Sequence, residues 1–232
     1  MPDIRYKFEY LEVGSSNEAA ISKCKEICKS PLSHSGLWMF GPSGCGKTHL
    51  LKATYNILNY QQPRMNGLYI SAKELAELLY DFLGGGTNLW LHIKTYDYLL
   101  IDNMEDLRGR PKTQKAIAEL IAEMIVDEKL VLVASSCTPG KLRDLKNCLR
   151  MHSCNLPIVE IQSPDYELKK SIVEKYLSEN PFDISSDACE LLISKSSHIP
   201  RLKGVLSSAK FLHETQGVHI EEKWVEEYGF WS

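Results

Sequence analysis

The 232-residue chain carries 27 basic and 30 acidic residues and is 44% hydrophobic and 25% charged, globular values that exclude a disordered chain or a fibrous repeat. Its formal net charge of -3 supplies no global positive field to collect DNA or anionic lipid, so any nucleic-acid contact must be local. Met1 to Tyr10 alternates charges with aromatics instead of forming an apolar signal run, and no stretch approaches the ~18 apolar residues of a membrane span, so a cytoplasmic protein without membrane contact is expected.

In chain order, the first buried strand is expected at Gly36 to Phe40, followed by a helix over Lys47 to Leu58. A strand at Leu68 to Ser71 and a helix over Ala72 to Leu83 come next, then a strand at Tyr98 to Asp102 and a helix over Thr113 to Asp127. Leu130 to Ser135 and Ile158 to Ile161 read as the last two strands of the series, with a helix over Leu142 to Arg150 between them. The helical segments repeat apolar residues every three or four positions, and strand alternating with helix predicts an α/β fold with a parallel sheet covered on both faces.

After Ser163 the pattern changes. Helices are expected over Asp165 to Glu179, Ser186 to Ser196 and Pro200 to Thr215, and Val218 to Ile220 is the longest strand-like run left. Ser163, Pro164, Asp165 and Glu167 look like a helix start, Ser185 to Asp187 offer another, and Pro200 suits a first turn. The expected division is residues 1–162 as an α/β domain and 163–232 as a small helical domain. Cys24, Cys28, Cys45, Cys137, Cys148, Cys154 and Cys189 are odd in number and form no CxxC pair. That excludes a disulfide framework and a zinc ribbon, and reduced, mostly buried thiols are expected.

Gly41, Pro42, Ser43, Gly44, Cys45, Gly46, Lys47 and Thr48 match the P-loop pattern in full, between a strand and a helix. Glycines let backbone amides turn toward a β-phosphate, the helix start adds its positive end, Lys47 reaches the β and γ oxygens, and Thr48 ligates magnesium. Asp102 closes the apolar run Tyr98, Leu99, Leu100, Ile101 as a Walker B acid would, holding the same Mg2+. The expected ligand is ATP or ADP with Mg2+.

With these motifs in place the chain resembles the AAA+ module of the bacterial replication initiator DnaA and its shorter relative Hda. Tyr6 to Phe8 and Val13 to Glu18 look like that family's N-terminal segment, where Val13 and Asn17 would lie against the adenine. Lys47, Thr48, His49, Leu50 and Leu51 continue the P-loop as the family does. Pro111 to Gln114 are similar to its KTQ segment, and Pro200 to Gly204 resemble its sensor 2 helix, which would send Arg201 to the phosphates. The implied fold is a P-loop AAA+ sheet sandwiched by helices, followed by an all-α lid.

The resemblance has departures. Asn103 stands where the initiator has a second acid, as in Hda-type proteins, and Ser136 replaces an aspartate at the sensor 1 turn. Cys148 and His152 align with two family arginines, one of them the finger that acts on a neighbour's ATP, and Arg150 or Arg143 would fill that role if the helix were shifted by a turn. The segment between Ala72 and Asp97, which in the family touches single-stranded DNA, offers Lys73, Lys94 and His92 as cations, with Gly84 to Gly86 in its middle and Trp90 and Tyr96 as aromatics. No QxxLxF clamp-binding peptide is visible at either end. The sequence given ends at Ser232 without the initiator's helix-turn-helix, so sequence-specific duplex binding is not expected. The resemblance thus implies a nucleotide-switched regulator or adaptor of replication initiation whose partner is an AAA+ protein such as DnaA, with a homo-oligomer as a further option. The alternative is a helicase-loading or transposition-helper ATPase similar to DnaC and IstB.

Overall fold

A computed structural model of the chain describes residues 5–83, 92–151 and 156–228. The Gly84 to Gly86 turn, Trp90, His152 and Cys154 lie outside the described residues. The described chain divides into two units, one of Met1–Leu11, Ala19–Pro42 and Lys47–Ile161, the other of Glu12–Glu18, Ser43–Gly46 and Gln162–Ser232. The second unit thus takes in two short segments that a single cut near residue 162 does not separate.

In the first unit the strands are β1 (Gly36–Phe40), β2 (Gly67–Ser71), β3 (Tyr98–Asp102), β4 (Leu130–Ser135) and β5 (Ile158–Glu160). Every residue of β3 and β4 is buried, as continuous aliphatic runs require when both faces of a parallel sheet are covered. All pairings are parallel and the order is β2-β3-β4-β1-β5. This order sets the carboxyl ends of β1, β4 and β3 side by side, the edge where open α/β sheets bind ligands. Those ends deliver the glycine-rich loop, Ser136 and Asp102 respectively.

Among the described residues the helices of this unit include α1 (Glu18–Lys29), α2 (Lys47–Gln61), α3 (Ala72–Leu83), α4 (Pro111–Val126) and α5 (Arg143–Met151). The apolar faces of α3, α4 and α5 meet the sheet in a core that includes Leu75, Leu99, Ile101, Ile117, Ile121, Val131, Val133 and Leu145. Gln114, a buried polar residue of α4, donates from its amide to Leu107 O at 2.8 Å and accepts from Leu145 N–H at 3.4 Å. Cys24 and Cys28 face inward from α1, and burial pushes both thiols up to about 12, so they pack as small apolar groups.

The second unit holds α6 (Tyr166–Glu179), α7 (Ser186–Lys195), α8 (Ile199–Gln216) and α9 (Glu222–Tyr228). Of the candidate residues at the start of α6, Asp165 is the cap, accepting from Leu168 N–H at 2.8 Å. Ser185 caps α7 in the same way, accepting from Ala188 N–H at 3.2 Å. Such caps satisfy amide donors that have no partner inside the helix. Leu168, Ile172, Leu192, Leu202, Leu206, Ile220 and Val225 form its core. The run Val218 to Ile220 is not a strand; it makes one bridge, Ile184 to Ile220.

Candidate functional site

From Phe40 the chain turns through Gly41 to Gly46 into α2. Gly44 and Gly46 have φ of +75° and +99°, a region open to glycine and strained for residues with a Cβ. A Cβ at Gly44 would stand 2.9 Å from His198 Cβ and 3.2 Å from Pro200 Cδ, whereas one at Gly46 would meet nothing within 4 Å. Gly44→Ala is therefore expected to cost about 1–3 kcal/mol of stability from backbone strain plus crowding, and Gly46→Ala the smaller strain alone. Denaturant midpoints of the two variants check this order.

The Lys47 side chain is 7% exposed. Its ammonium donates to Gly41 O at 2.8 Å and to Pro42 O at 2.7 Å, drawn back along its own loop. No acid occupies the first turn of α2, so the positive end of the helix is not offset there. Gly41 N–H donates to Ser135 O at 3.2 Å, tying the loop's start to the end of β4. His49 lies 5.2 Å edge-on from the Tyr6 ring and hydrogen-bonds Lys7 O at 3.0 Å. Within the first unit it anchors the N-terminal segment.

Asp102 is 2% exposed. Its Oδ2 accepts from Thr48 Oγ1 at 2.8 Å and from the Tyr69 hydroxyl at 2.8 Å, and its Oδ1 accepts from Asn103 N–H at 2.9 Å. Three donors thus satisfy a buried carboxylate. A hydroxyl and a carboxylate this close are hard oxygen ligands, a donor set that suits Mg2+. Asn103 has φ +55°, a conformation asparagine tolerates, and begins the turn Met104–Leu107. Two residues on, Glu105 Oε2 accepts from Ser136 N–H at 2.8 Å. Burial works to raise the Glu105 carboxyl, but hydrogen bonds from its own backbone and from Ser136 hold it below the usual carboxylate range.

In the second unit, Val13 is 53% exposed and Asn17 is 7% exposed. Asn17 Oδ1 accepts from Gly14 N–H at 2.9 Å and its Nδ2 donates to Glu12 O at 2.9 Å, so the asparagine closes this turn and holds Val13 at its tip. Ser15 Oγ donates to Asp165 at 2.6 Å, fixing the turn to the start of α6. Arg201 follows Pro200 in the first turn of α8, the turn that a Cβ at Gly44 would strike.

A family model of the bacterial DnaA ATPase domain matches residues 3–155, more than half of the chain. The chain belongs to that family. It is 29% identical over 217 residues to the chromosomal replication initiator DnaA of Nautilia profundicola, covering 92% of this chain and 49% of that protein. To the DnaA of Corynebacterium jeikeium it is 28% identical over 205 residues, covering 87% of this chain and 35% of that one. The chain thus spans about half or less of the length of these relatives. Among solved structures, domain III of Thermotoga maritima DnaA matches with a TM-score of 0.82 at 25% identity, covering 96% of this chain and 95% of that one. The DnaC helicase loader shares the fold at a TM-score of 0.58 and 17% identity over 68% of this chain. The parallel sheet with its helices is therefore the α/β AAA+ fold of DnaA domain III.

Against this DnaA-family frame, Cys148 stands on α5, 2% exposed, its thiol 3.9 Å from Lys115 O. A buried thiol is no substitute for a permanent cation. Arg143 and Arg150 on the same helix are exposed. Lys94 is engaged with Glu123 at 3.0 Å, which leaves it less available to a phosphate backbone. Two side chains at the site went unnoticed in the sequence, Tyr69 and Glu105. Glu105 had a signal, an acid three residues after Asp102, whereas Tyr69 is brought in only by strand pairing.

Proposed function

We propose that this DnaA-family chain binds ATP or ADP with Mg2+ at the P-loop and acts as a nucleotide-switched adaptor in replication initiation, docking on an AAA+ partner such as DnaA. What carries the reading is the full glycine loop with Lys47 at its end, beside the hydrogen bond at 2.8 Å between Thr48 and Asp102. Solved DnaA proteins of the same fold were determined with AMPPCP, one of them also with single-stranded DNA.

In this reading the amides of Ser43, Gly44, Cys45 and Gly46 line the phosphates, and Lys47 exchanges the carbonyls of Gly41 and Pro42 for phosphate oxygens. Thr48 keeps its proton on Asp102 and offers its free lone pairs outward, where a magnesium ion would take them. Thr48 and Asp102 would hold Mg2+, and the ion would supply positive charge against that of the phosphates. Val13 at its exposed tip is the apolar contact for the base, with Asn17 holding the tip in place. His49 secures Tyr6 and Lys7, and Arg201 is the cation for the terminal phosphates. Asp102, Asn103 and Ser136 make up the hydrolytic positions, of which Asp102 alone carries a charge.

The adaptor reading is tested by mixing the purified chain with purified DnaA and, separately, with a replicative helicase, each with ATP or with ADP. A complex with DnaA that forms with one nucleotide and not the other is expected. A complex with the helicase alone would move the assignment to the loader class.

Duplex DNA is expected to bind weakly, with no sequence preference, and to be lost by ~200 mM salt, because scattered lysines release counterions without reading bases. The chain's net charge of -3 adds no general attraction. Fluorescence anisotropy on matched and scrambled duplexes across a salt series checks it, and a sequence-preferring complex that survives ~200 mM salt would overturn it.

A further inference from the structure

We infer that Tyr69 is a positioning residue of the Mg2+–nucleotide site, fixing the Asp102 carboxylate so that one acceptor position is left for the metal's hydration shell. The inference rests on the nucleotide reading above and adds to it a residue on a strand that carries none of the sequence motifs.

Parallel register sets Ser71 opposite Asp102. Tyr69 is two residues earlier on β2, and residues two apart on a strand share a face. The phenol therefore reaches along the sheet to Asp102 Oδ2, where it donates at 2.8 Å beside Thr48 at 2.8 Å. A carboxylate offers about four lone-pair positions. Two on Oδ2 go to Thr48 and Tyr69, and one on Oδ1 goes to Asn103 N–H at 2.9 Å. The remaining position lies on Oδ1. A metal-bound water fits it, since Mg2+ gives up its waters reluctantly and is held through them.

Tyr69 is built to hold this geometry. The Lys52 ammonium stands 5.3 Å from its ring centroid and 4.6 Å from that of Tyr6, and the Tyr55 ring lies 6.1 Å away, tilted by 52°. These neighbours brace the ring on its way to Asp102. Burial, and then the Asp102 charge, push the phenol well above its ordinary range. Without its hydroxyl, Asp102 keeps Thr48 on Oδ2 and Asn103 N–H on Oδ1 but loses its third donor, so the carboxylate is held less firmly in the plane that leaves one Oδ1 position open.

The test is a titration of a fluorescent ATP analogue on the full chain, in EDTA and across a Mg2+ series, for wild type, Lys47→Ala, Tyr69→Phe and Asp102→Asn. A hydrogen bond to a charged group sets the scale, so Tyr69→Phe is expected to raise the Mg2+ concentration for half-maximal tightening about tenfold. Affinity in EDTA should stay at the wild-type value, while the hydrogen bond lost from a buried carboxylate should lower the melting temperature by a few degrees. In the Asp102→Asn background the same change should add nothing, because the phenol acts through the carboxylate. A wild-type Mg2+ response in Tyr69→Phe, a tighter one, or an equal loss with and without Mg2+ would overturn the inference while leaving the nucleotide reading in place. If wild type bound no nucleotide, or Lys47→Ala bound it as well as wild type, the reading itself would fall. Tyr69→Met, which fills similar space without a donor, decides the question if the phenylalanine variant does not fold.

Discussion

Lys47→Ala is expected to weaken ATP and ADP binding by about 100-fold or more, since it removes a charge-assisted contact from a water-poor loop, where such bonds are at their strongest. The side chain is 7% exposed and already held within hydrogen-bond distance of two loop carbonyls, 2.8 Å to Gly41 O and 2.7 Å to Pro42 O. Little side-chain freedom remains to be lost when it turns to a phosphate. The same contacts give the variant a second effect, because truncation leaves both carbonyls without their donor. Its ligand-free form should therefore be less stable by about 1–3 kcal/mol. Calorimetry gives the affinity and thermal unfolding gives the stability. The wild type should also gain about 2.7 kcal/mol of apparent stability with nucleotide at 100 times its dissociation constant, and the variant essentially none. Equal ATP affinities for the two proteins would show that the P-loop is not the site.

The strands were readable because each is a short, uninterrupted apolar run, and a sheet covered on both faces allows little else in its interior. Tyr98 to Asp102 and Leu130 to Ser135 appear in the structure with the expected bounds. Helix α1 carries a readable signal, Ala20, Ile21, Cys24, Ile27 and Cys28 on one buried face, although it lies before the first expected strand and outside the strand–helix alternation. Helix α9 had almost none: seven residues with Val225 as the one buried position are too few to establish a period. The strand-like run Val218 to Ile220 makes one bridge, to Ile184, and among the described residues it extends into no longer pairing.

The P-loop was legible for a local reason. Its chemistry depends on consecutive residues, with glycines where φ is positive and lysine and threonine at the helix start. The surroundings of Asp102 are non-local, and only part of them could be anticipated. Thr48 follows from the motif, but Tyr69 arrives by the register of β2 on β3, which nothing in the run Leu68 to Ser71 specifies. Asn17 illustrates a third case: the resemblance assigns it to the adenine, and the structure gives its amide to Gly14 and Glu12. Its contribution then runs through the shape of the turn, so a substitution there should act on the position of Val13.

The isolated chain is expected to hydrolyse ATP far below the ~1 s⁻¹ of an ordinary enzyme, at a rate that does not rise with protein concentration. Asp102 can position a magnesium ion, but Asn103 presents an amide where a carboxylate would orient water, and Ser136 spends its backbone N–H on Glu105 at 2.8 Å. Of the two positions that align with family arginines, one of them the finger, Cys148 is a thiol 2% exposed within the core and His152 lies outside the described residues, and neither carries a permanent cation. An arginine finger is worth roughly 10³ to 10⁵ in rate in other P-loop enzymes, so its loss outweighs any change at the sensor. Asn103→Asp should therefore raise turnover only modestly, and a partner that offers an arginine should raise it far more. The competing case is a finger supplied to a second copy by Arg150 or Arg143, both exposed on α5. Single-turnover and steady-state rates over a wide range of protein concentration separate the two. A flat specific rate in wild type, unchanged in Arg150→Ala and Arg143→Ala, is the expected result. A steep rise with concentration that either substitution abolishes would make this chain a self-activating ATPase, and the adaptor reading would give way to one in which copies of the chain assemble to work.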